Sequence, residues 1–320
     1  MNLLKANSES ILNAAKIIKA GGLVAFPTET VYGLGADGLN PIAVAKIFEV
    51  KKRPSFNPLI LHIDDKSWFA KLTAPIEKNV ELLIEKFMPG PLTLVLPKNN
   101  IVPDIVTSGN DTVAIRMPNH PVALELIKEA GTPIAAPSAN RFGHLSPTEA
   151  FHVKKYLGNK VDLILDGGKC SVGIESTIIQ YEEGSFYLLR HGGISKEEVE
   201  KITGKILNKK PNAEKPNSPG QLPFHYSPNT PLKFYDASLL DESKKIGALF
   251  YKKKIDNYNY KMERVLSPSG NLREAAANLF LMLHELESSE LDLILVEKIE
   301  QSGLGRAIMD RLSKAVNKHY

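Results

Sequence analysis

The sequence predicts an α/β protein built as two units joined by a linker, and three observations carry that expectation. Short apolar runs alternate with segments of helical spacing over residues 1–207. The alternation stops over 208–231, where six prolines stand among polar residues with almost no periodic apolar ones. It resumes over 232–320, a stretch of about ninety residues that suits a small domain.

Each element has a local reason. Ser8 can cap a first helix with Ile11, Ala15 and Ile18 on its inner face and Gly21 past its end. Residues 22–26 read as a strand that stops at Pro27. A polar turn, Thr28-Glu29-Thr30, then leads into a glycine-rich bend at Gly33, Gly35 and Gly38. Asn40 and Pro41 open the next helix as N-cap and first residue, with Val44, Ile47 and Phe48 on one face. That helix must end before Pro54, because a residue preceding proline is pushed out of the helical region. A strand at 58–63 follows, then a helix with Pro75 in its first turn carrying Val80, Leu83, Ile84 and Phe87. Residues 91–96, 112–117 and 132–136 read as strands, and 121–130 as a helix closed by Gly131. Ser146-Pro147-Thr148-Glu149 has the capping-box pattern with proline at N1, which predicts a helix to Leu157. Strands at 161–165, 176–181 and 186–190 and a second box at Ser195 and Glu198 complete the first unit. The last unit offers a strand at 246–251 and a helix carrying Leu272, Ala276, Leu279, Leu283 and Leu286. A strand at 291–296 and a closing helix from about Arg306 to Asn317 end it.

Composition and missing signatures narrow the chemistry. The single cysteine, Cys170, excludes an internal disulfide and suits a reducing cytoplasm. Residues 1–10 hold no apolar signal core, and no apolar run nears the roughly 20 residues needed to cross a bilayer. A net charge of +4 and a pI near 8.8 permit an anionic ligand without demanding one. Gly33-Leu34-Gly35-Ala36-Asp37-Gly38 matches GxGxxG, but the residues from Pro27 to Tyr32 separate it from the preceding strand, and no acidic residue lies between Lys51 and Ile63. The chain has no GxxxxGK[ST], no HExxH, no GxSxG and too few cysteines for a zinc cluster. Covalent catalysis and a protein-bound metal are therefore not expected.

What remains is a set of polar groups on separate loops. Lys51, Lys52 and Arg53 form either a solvated helix end or an anion site whose outer loop is set by Pro54 and Asn57-Pro58. Ser138 and Asn140 after Pro137 are either turn residues or ligand groups, and Ser176 and Thr177 are equally the first positions of a strand. Arg116 lies in an apolar strand and needs an anion, for which a ligand carboxylate is one source. His62, ending another apolar strand, is either a packed core histidine or a ligand contact.

At this point FPTETVYGLG, KKRPSFNPL, PSANRFGHLSPT, GIESTI and LLRHGGIS, taken in order, resemble the threonylcarbamoyl-AMP synthase family, the YrdC-like proteins. SPGQLPFHYSP and GLGRAIMDRLSKA resemble the linker and C-terminal domain of its longer members. The resemblance implies a YrdC-like twisted open mixed sheet with flanking helices over 1–207, a proline-rich lid over 208–231 and a small Rossmann-like α/β domain over 232–320. It implies an enzyme that condenses L-threonine, bicarbonate and ATP into threonylcarbamoyl-AMP and pyrophosphate, for threonylcarbamoyladenosine modification of tRNA. Mg2+ would accompany the ATP, held by phosphate oxygens and water. The partner implied is the downstream tRNA threonylcarbamoyl transferase machinery, with tRNA met indirectly, no membrane and a cytoplasmic location.

Residue by residue, Lys51 and Arg53 with Ser138 and Asn140 match the family's catalytic KxR and SxN groups. Arg53, Asn57, Thr112, Ser138, Ser146 and Arg190 fall where the family contacts ATP, joined by His225 and Tyr226 of the linker. Thr30, His62, Arg116, Ala136 and Ser176 fall where it contacts threonine. The linker departs from the pattern in reading Gln221-Leu222-Pro223-Phe224 where basic residues are expected before HYSP. Two rival functions fit the sequence less well. An RNA-binding module in tRNA or ribosome maturation would use clusters such as Lys252-Lys253-Lys254, but the chain has only 7% aromatics and no stacking array beside them. Carbamoyl adenylation of the hydrogenase-maturation kind would bring an acylphosphatase segment and zinc-finger cysteines, which this sequence lacks.

Overall fold

A computed structural model describes residues 2–208, 218–220 and 225–317. The first part of the chain runs β1 (Leu3–Lys5), α1 (Ser8–Lys19), β2 (Val24–Phe26), β3 (Gly33–Asp37), α2 (Pro41–Lys51), β4 (Ile60–His62) and α3 (Trp68–Leu72). It continues through α4 (Lys78–Phe87), β5 (Leu92–Pro97), α5 (Asp104–Thr107), β6 (Thr112–Arg116), α6 (Pro121–Ala130), β7 (Ile134–Ala135) and α7 (Ala150–Leu157). β8 (Leu163–Asp166), β9 (Thr177–Glu182), β10 (Ser185–Arg190), α8 (Lys196–Thr203) and β11 (Leu207–Asn208) close this part. Beyond the linker come β12 (Leu232–Phe234), β13 (Ile246–Phe250), β14 (Met262–Val265), α9 (Leu272–Glu287), β15 (Leu293–Val296) and α10 (Gly305–Val316).

Among the described residues, eleven strands form one sheet in the order β1-β8-β2-β3-β7-β4-β6-β5-β9-β10-β11, mixing parallel and antiparallel pairs. Helices cover both faces. Val44 and Ile47 of α2 and Leu83 of α4 pack on one side, and Ile11 and Ile18 of α1 with Leu126 and Ile127 of α6 on the other. The second sheet, β12-β15-β13-β14, is wholly parallel. Its core, drawn from Leu279 and Leu283 of α9 and Ile308 and Leu312 of α10, also takes in Val31, Leu145 and Ile174 from loops of the larger sheet. No helix among the described residues is long and apolar enough to cross a membrane.

Several local expectations give way to stronger forces. The glycine-rich bend is strand β3, because bare α-carbons at Gly33 and Gly35 leave room for the Phe26 ring; a Cβ at Gly35 would stand 2.7 Å from it. Asn7, not Ser8, caps α1, in a reciprocal box with Ser10. Ser146 caps nothing: α7 starts at Ala150 with Glu149 as N-cap, and the Ser146 hydroxyl is drawn away to Glu175. Pro75 lies between α3 and α4 rather than in a first turn. Strands β1, β11, β12 and β14 were not expected, since each is short, little buried and without an uninterrupted apolar run.

Candidate active site

Parallel pairing of β4 with β6 sets His62 directly against Arg116 at the two strand ends. These ends open on a cavity walled by Thr28, Thr30, Ala136, Ser138, Glu175 and Ser176 and roofed by Pro219, Gly220, His225 and Tyr226 of the linker. The turn entering it folds as its sequence dictates. The Thr28 hydroxyl accepts from the backbone N–H groups of Thr30 and Val31 at 3.2 Å each and donates to the Val31 carbonyl at 2.7 Å. This aims Thr30 at Arg116, whose Nη1 donates to the Thr30 hydroxyl at 2.8 Å.

Arg116 already has a carboxylate. Its Nη2 lies 2.7 Å from Glu29 Oε1 in a buried ion pair, so the anion that the sequence reading looked for in a ligand is first supplied by the protein. His62 is buried beside this pair, edge-on to Phe26 with ring centroids 6.1 Å apart. Burial, helped by the Arg116 charge, pulls its imidazole down to about 3, so the ring is neutral at physiological pH. Its Nδ1 has no hydrogen-bond partner among the described residues.

At the other end of the cavity the basic run divides. Lys52 ends α2 in the left-handed region and is solvated, whereas its neighbours Lys51 and Arg53 are both buried. Arg53 reaches the cavity wall and is braced from behind, donating from Nε to Asn57 O at 3.0 Å and from Nη2 to Pro58 O at 2.8 Å. Burial lowers its guanidinium to about 9, which leaves it charged at neutral pH. Lys51 does not reach the cavity. Its ammonium donates to the carbonyls of Ser138, at 2.6 Å, and Asn140, and burial holds it well below the ordinary lysine range. Asn140 also turns inward, accepting from Ser138 Oγ at 2.5 Å and donating to the carbonyls of Arg141 and His144. Of the four expected catalytic groups, Arg53 and Ser138 face the cavity, while Lys51 and Asn140 shape the loop that presents Ser138.

The remaining expected residues fall in four places. Ala136, Ser176, Arg190, His225 and Tyr226 line the cavity together with Thr30, His62 and Arg116. Arg190 donates to the Ser176 carbonyl and hydroxyl, both at 3.0 Å, and the Ser176 hydroxyl lies 2.7 Å from that of Thr93. Asn57 is buried just behind Arg53, with an Oδ1 that finds no partner among the described residues. Thr112 is half-buried at the far end of β6, on the face it shares with Ala114 and Arg116. Ser146 stands behind the wall, donating to Glu175 at 2.5 Å. His225 is packed between Phe142 and Tyr226, and burial among Arg53, Lys51 and Lys314 keeps its ring neutral. Lys209, Lys210, Lys215 and the segment 221–224, Phe224 included, lie outside the described residues.

Two carboxylates escaped the sequence reading, Glu29 and Glu175. Both sit inside quoted motifs, but a carboxylate announces itself only through the arginine it meets, and Arg116 and Arg311 arrive from distant segments.

Comparison with known proteins adds independent findings. A family model described as "Telomere recombination" matches residues 16–192, and one described as "Threonylcarbamoyl-AMP synthase, C-terminal domain" matches residues 194–316. The threonylcarbamoyl-AMP synthase of Pyrococcus abyssi is 43% identical, over 94% of this chain and 92% of its own length. That of Bacillus subtilis is 42% identical, over 98% and 94%. The crystal structure of P. abyssi Sua5 complexed with L-threonine superposes with a TM-score of 0.91 at 40% identity, covering 99% of this chain and 97% of that one.

Proposed function

Because the chain belongs to the threonylcarbamoyl-AMP synthase family, we infer that it condenses L-threonine, bicarbonate and ATP into threonylcarbamoyl-AMP with release of pyrophosphate. The observation that carries the reading is one cavity with Arg116, Thr30 and His62 at one end and Arg53, Ser138 and Arg190 at the other. The first group suits the carboxylate and amine of an amino acid, the second a polyphosphate. The amine takes up carbon dioxide from bicarbonate as a carbamate, losing water. A carbamate oxygen then bonds to the α-phosphorus as the bond to the β-phosphate bridge oxygen breaks. No protein nucleophile enters; the site contributes alignment and fixed positive charge where negative charge accumulates.

Arg53, Ser138 and Arg190 hold the phosphates, with Asn57 and Thr112 toward the nucleoside and Lys51 and Asn140 supporting. Arg116 holds the threonine carboxylate, and neutral His62 accepts a hydrogen bond without adding charge. Mg2+ enters as the counter-ion of ATP. Glu29 and Glu175 are both engaged by arginines, so phosphate oxygens and water would hold it. Residues 1–207 form the catalytic domain, 208–231 the lid and 232–320 the small α/β domain. The lid keeps water from a hydrolysis-prone product before it passes, in the cytoplasm, to the transferase that modifies tRNA.

Pyrophosphate release tests the reading directly. It is expected only when threonine and bicarbonate are both present, and carbamoyl phosphate should not replace them. Release with ATP alone, or with carbamoyl phosphate, would overturn the reaction.

A further inference from the structure

Helix α10 reaches from the second sheet to the back wall of the cavity through Arg311, the largest fully buried side chain in the described protein, at 1% exposure. Its Nε lies 2.9 Å from Glu175 Oε2 and its Nη1 donates to the His191 carbonyl at 2.6 Å, while the guanidinium sits 5.2 Å from the centre of the Tyr226 ring. The other oxygen of Glu175 accepts from Ser146. The carboxylate is thus engaged at both oxygens, although its side chain borders the cavity.

The next cation is Arg190, which lines the same cavity and donates to Ser176, the residue after Glu175. Burial pushes the Glu175 carboxyl up, but the charges of Arg311 and then Arg190, together with the Ser146 and backbone hydrogen bonds, hold it below the usual carboxylate range. Arg190 itself is held on the cavity wall by Ser176 and by the linker carbonyl of Pro219, at 3.5 Å. A buried carboxylate deprived of its cation is costly and captures the nearest substitute.

We propose that Arg311 is a positioning residue for nucleotide binding: by keeping Glu175 engaged, it leaves Arg190 free for the phosphates of a ligand in the cavity. The proposal rests on the reading of Arg190 as a nucleotide contact. It gives the C-terminal unit a defined part in a site otherwise built from the larger sheet and the linker. It also separates two roles that one ion pair can play. If the pair merely fastens the two sheets together, breaking it lowers the melting temperature and leaves affinity for the nucleotide unchanged. If Arg311 restrains a competitor for Arg190, removing the competitor as well restores the site.

The test is the affinity of the full-length protein for a non-hydrolysable ATP analogue with magnesium, measured by titration calorimetry. Arg311→Met is expected to weaken binding by at least about tenfold. The double variant Glu175→Gln/Arg311→Met should stay within about threefold of the parent, and Arg311→Lys, which keeps a charge beside Glu175 but loses the guanidinium's second partner, should weaken binding by less than about tenfold. A double variant as weak as Arg311→Met, or an Arg311→Met variant that binds normally, overturns the proposal. Should Arg311→Met fail to melt cooperatively, Arg311→Lys and the double variant decide the matter, and tenfold weakening in either counts against it. Pyrophosphate release by the parent is read separately: its absence with analogue binding intact defeats the assigned reaction but not the role of Arg311, and a parent that does not bind the analogue overturns both.

Discussion

Lys51 and Arg53 stand two residues apart and do different work, because α2 ends between them. The left-handed Lys52 reverses the chain, so Lys51 points into the protein and Arg53 toward the ligand cavity. Arg53→Ala is expected to lower the rate of pyrophosphate release by at least about a hundredfold, the scale of losing one preorganised charge-stabilising group. Its melting temperature should stay close to the parent's; wild-type turnover would remove Arg53 from the mechanism. Glu29 allows a subtler test. With Gln at this position, Arg116 is a buried charge without its carboxylate, at a cost of about 3 kcal/mol or more in the empty protein. A threonine carboxylate would return part of that cost. Glu29→Gln should therefore melt lower without threonine, yet gain more from saturating threonine than the parent does. Equal threonine-induced shifts in differential scanning calorimetry would show that Glu29 does not share Arg116 with the substrate.

Among the elements, the linker carries the sharpest expectation. Ser227 N–H donates to Gly143 O at 2.9 Å, Lys314 Nζ to Gly220 O at 2.7 Å and Arg190 to Pro219 O, so the described parts of the linker are tied to both sheets while roofing the cavity. Replacing residues 208–231 with a neutral spacer should leave threonine affinity largely unchanged and lower the yield of intact adenylate several-fold, measured by chromatography of quenched reactions. An unchanged yield would end the lid interpretation. What was legible in the sequence follows from the range of the forces involved. Helices α1, α2, α4, α6, α9 and α10 announce themselves through spacing and caps that act within a few residues. Strand β3 does not, because its glycines answer to Phe26 on another strand, and the start of α7 does not, because Glu175 claims the hydroxyl that would have capped it. The site follows the same rule. Arg53 and Arg116 stand in the sequence as charges in costly places, whereas their division between ligand and scaffold depends on what the fold sets beside them, the Asn57 and Pro58 carbonyls for Arg53 and the Glu29 carboxylate for Arg116.

Across the whole molecule, the two sheets meet through a shared apolar core and a rim of ion pairs, and these differ in weight. Exposed pairs such as Arg273 with Glu198, at 2.9 Å, contribute between about 0 and 1 kcal/mol each. A buried contact matters more. The rings of His152 on α7 and His284 on α9 stack with centroids 3.7 Å apart, and His284 Nε2 donates to the Ser146 carbonyl at 3.1 Å. Lys155 and Glu287 face the pair from the same two helices. Burial, with Lys155 adding to it, lowers His284 to about 4, and burial with the neighbouring ring lowers His152 to about 3, against an ordinary value of 6.5. The unfolded chain therefore binds more protons than the folded one between these limits. Stability is complete above about pH 6.5 and is lost progressively as pH falls toward 4, by about 3 kcal/mol for His284 alone. His62 and His225 tilt the curve in the same direction, so the pair is identified by difference. His284→Gln keeps a donor for the Ser146 carbonyl but cannot take up a proton. Its stability from urea unfolding should fall less steeply than the parent's between pH 6.5 and 4.5, and parallel curves would place the proton uptake elsewhere. Because Ser146 also bonds to Glu175, the histidine pair is linked by one residue to the wall of the cavity, so acid weakens the junction of the two sheets close behind the site.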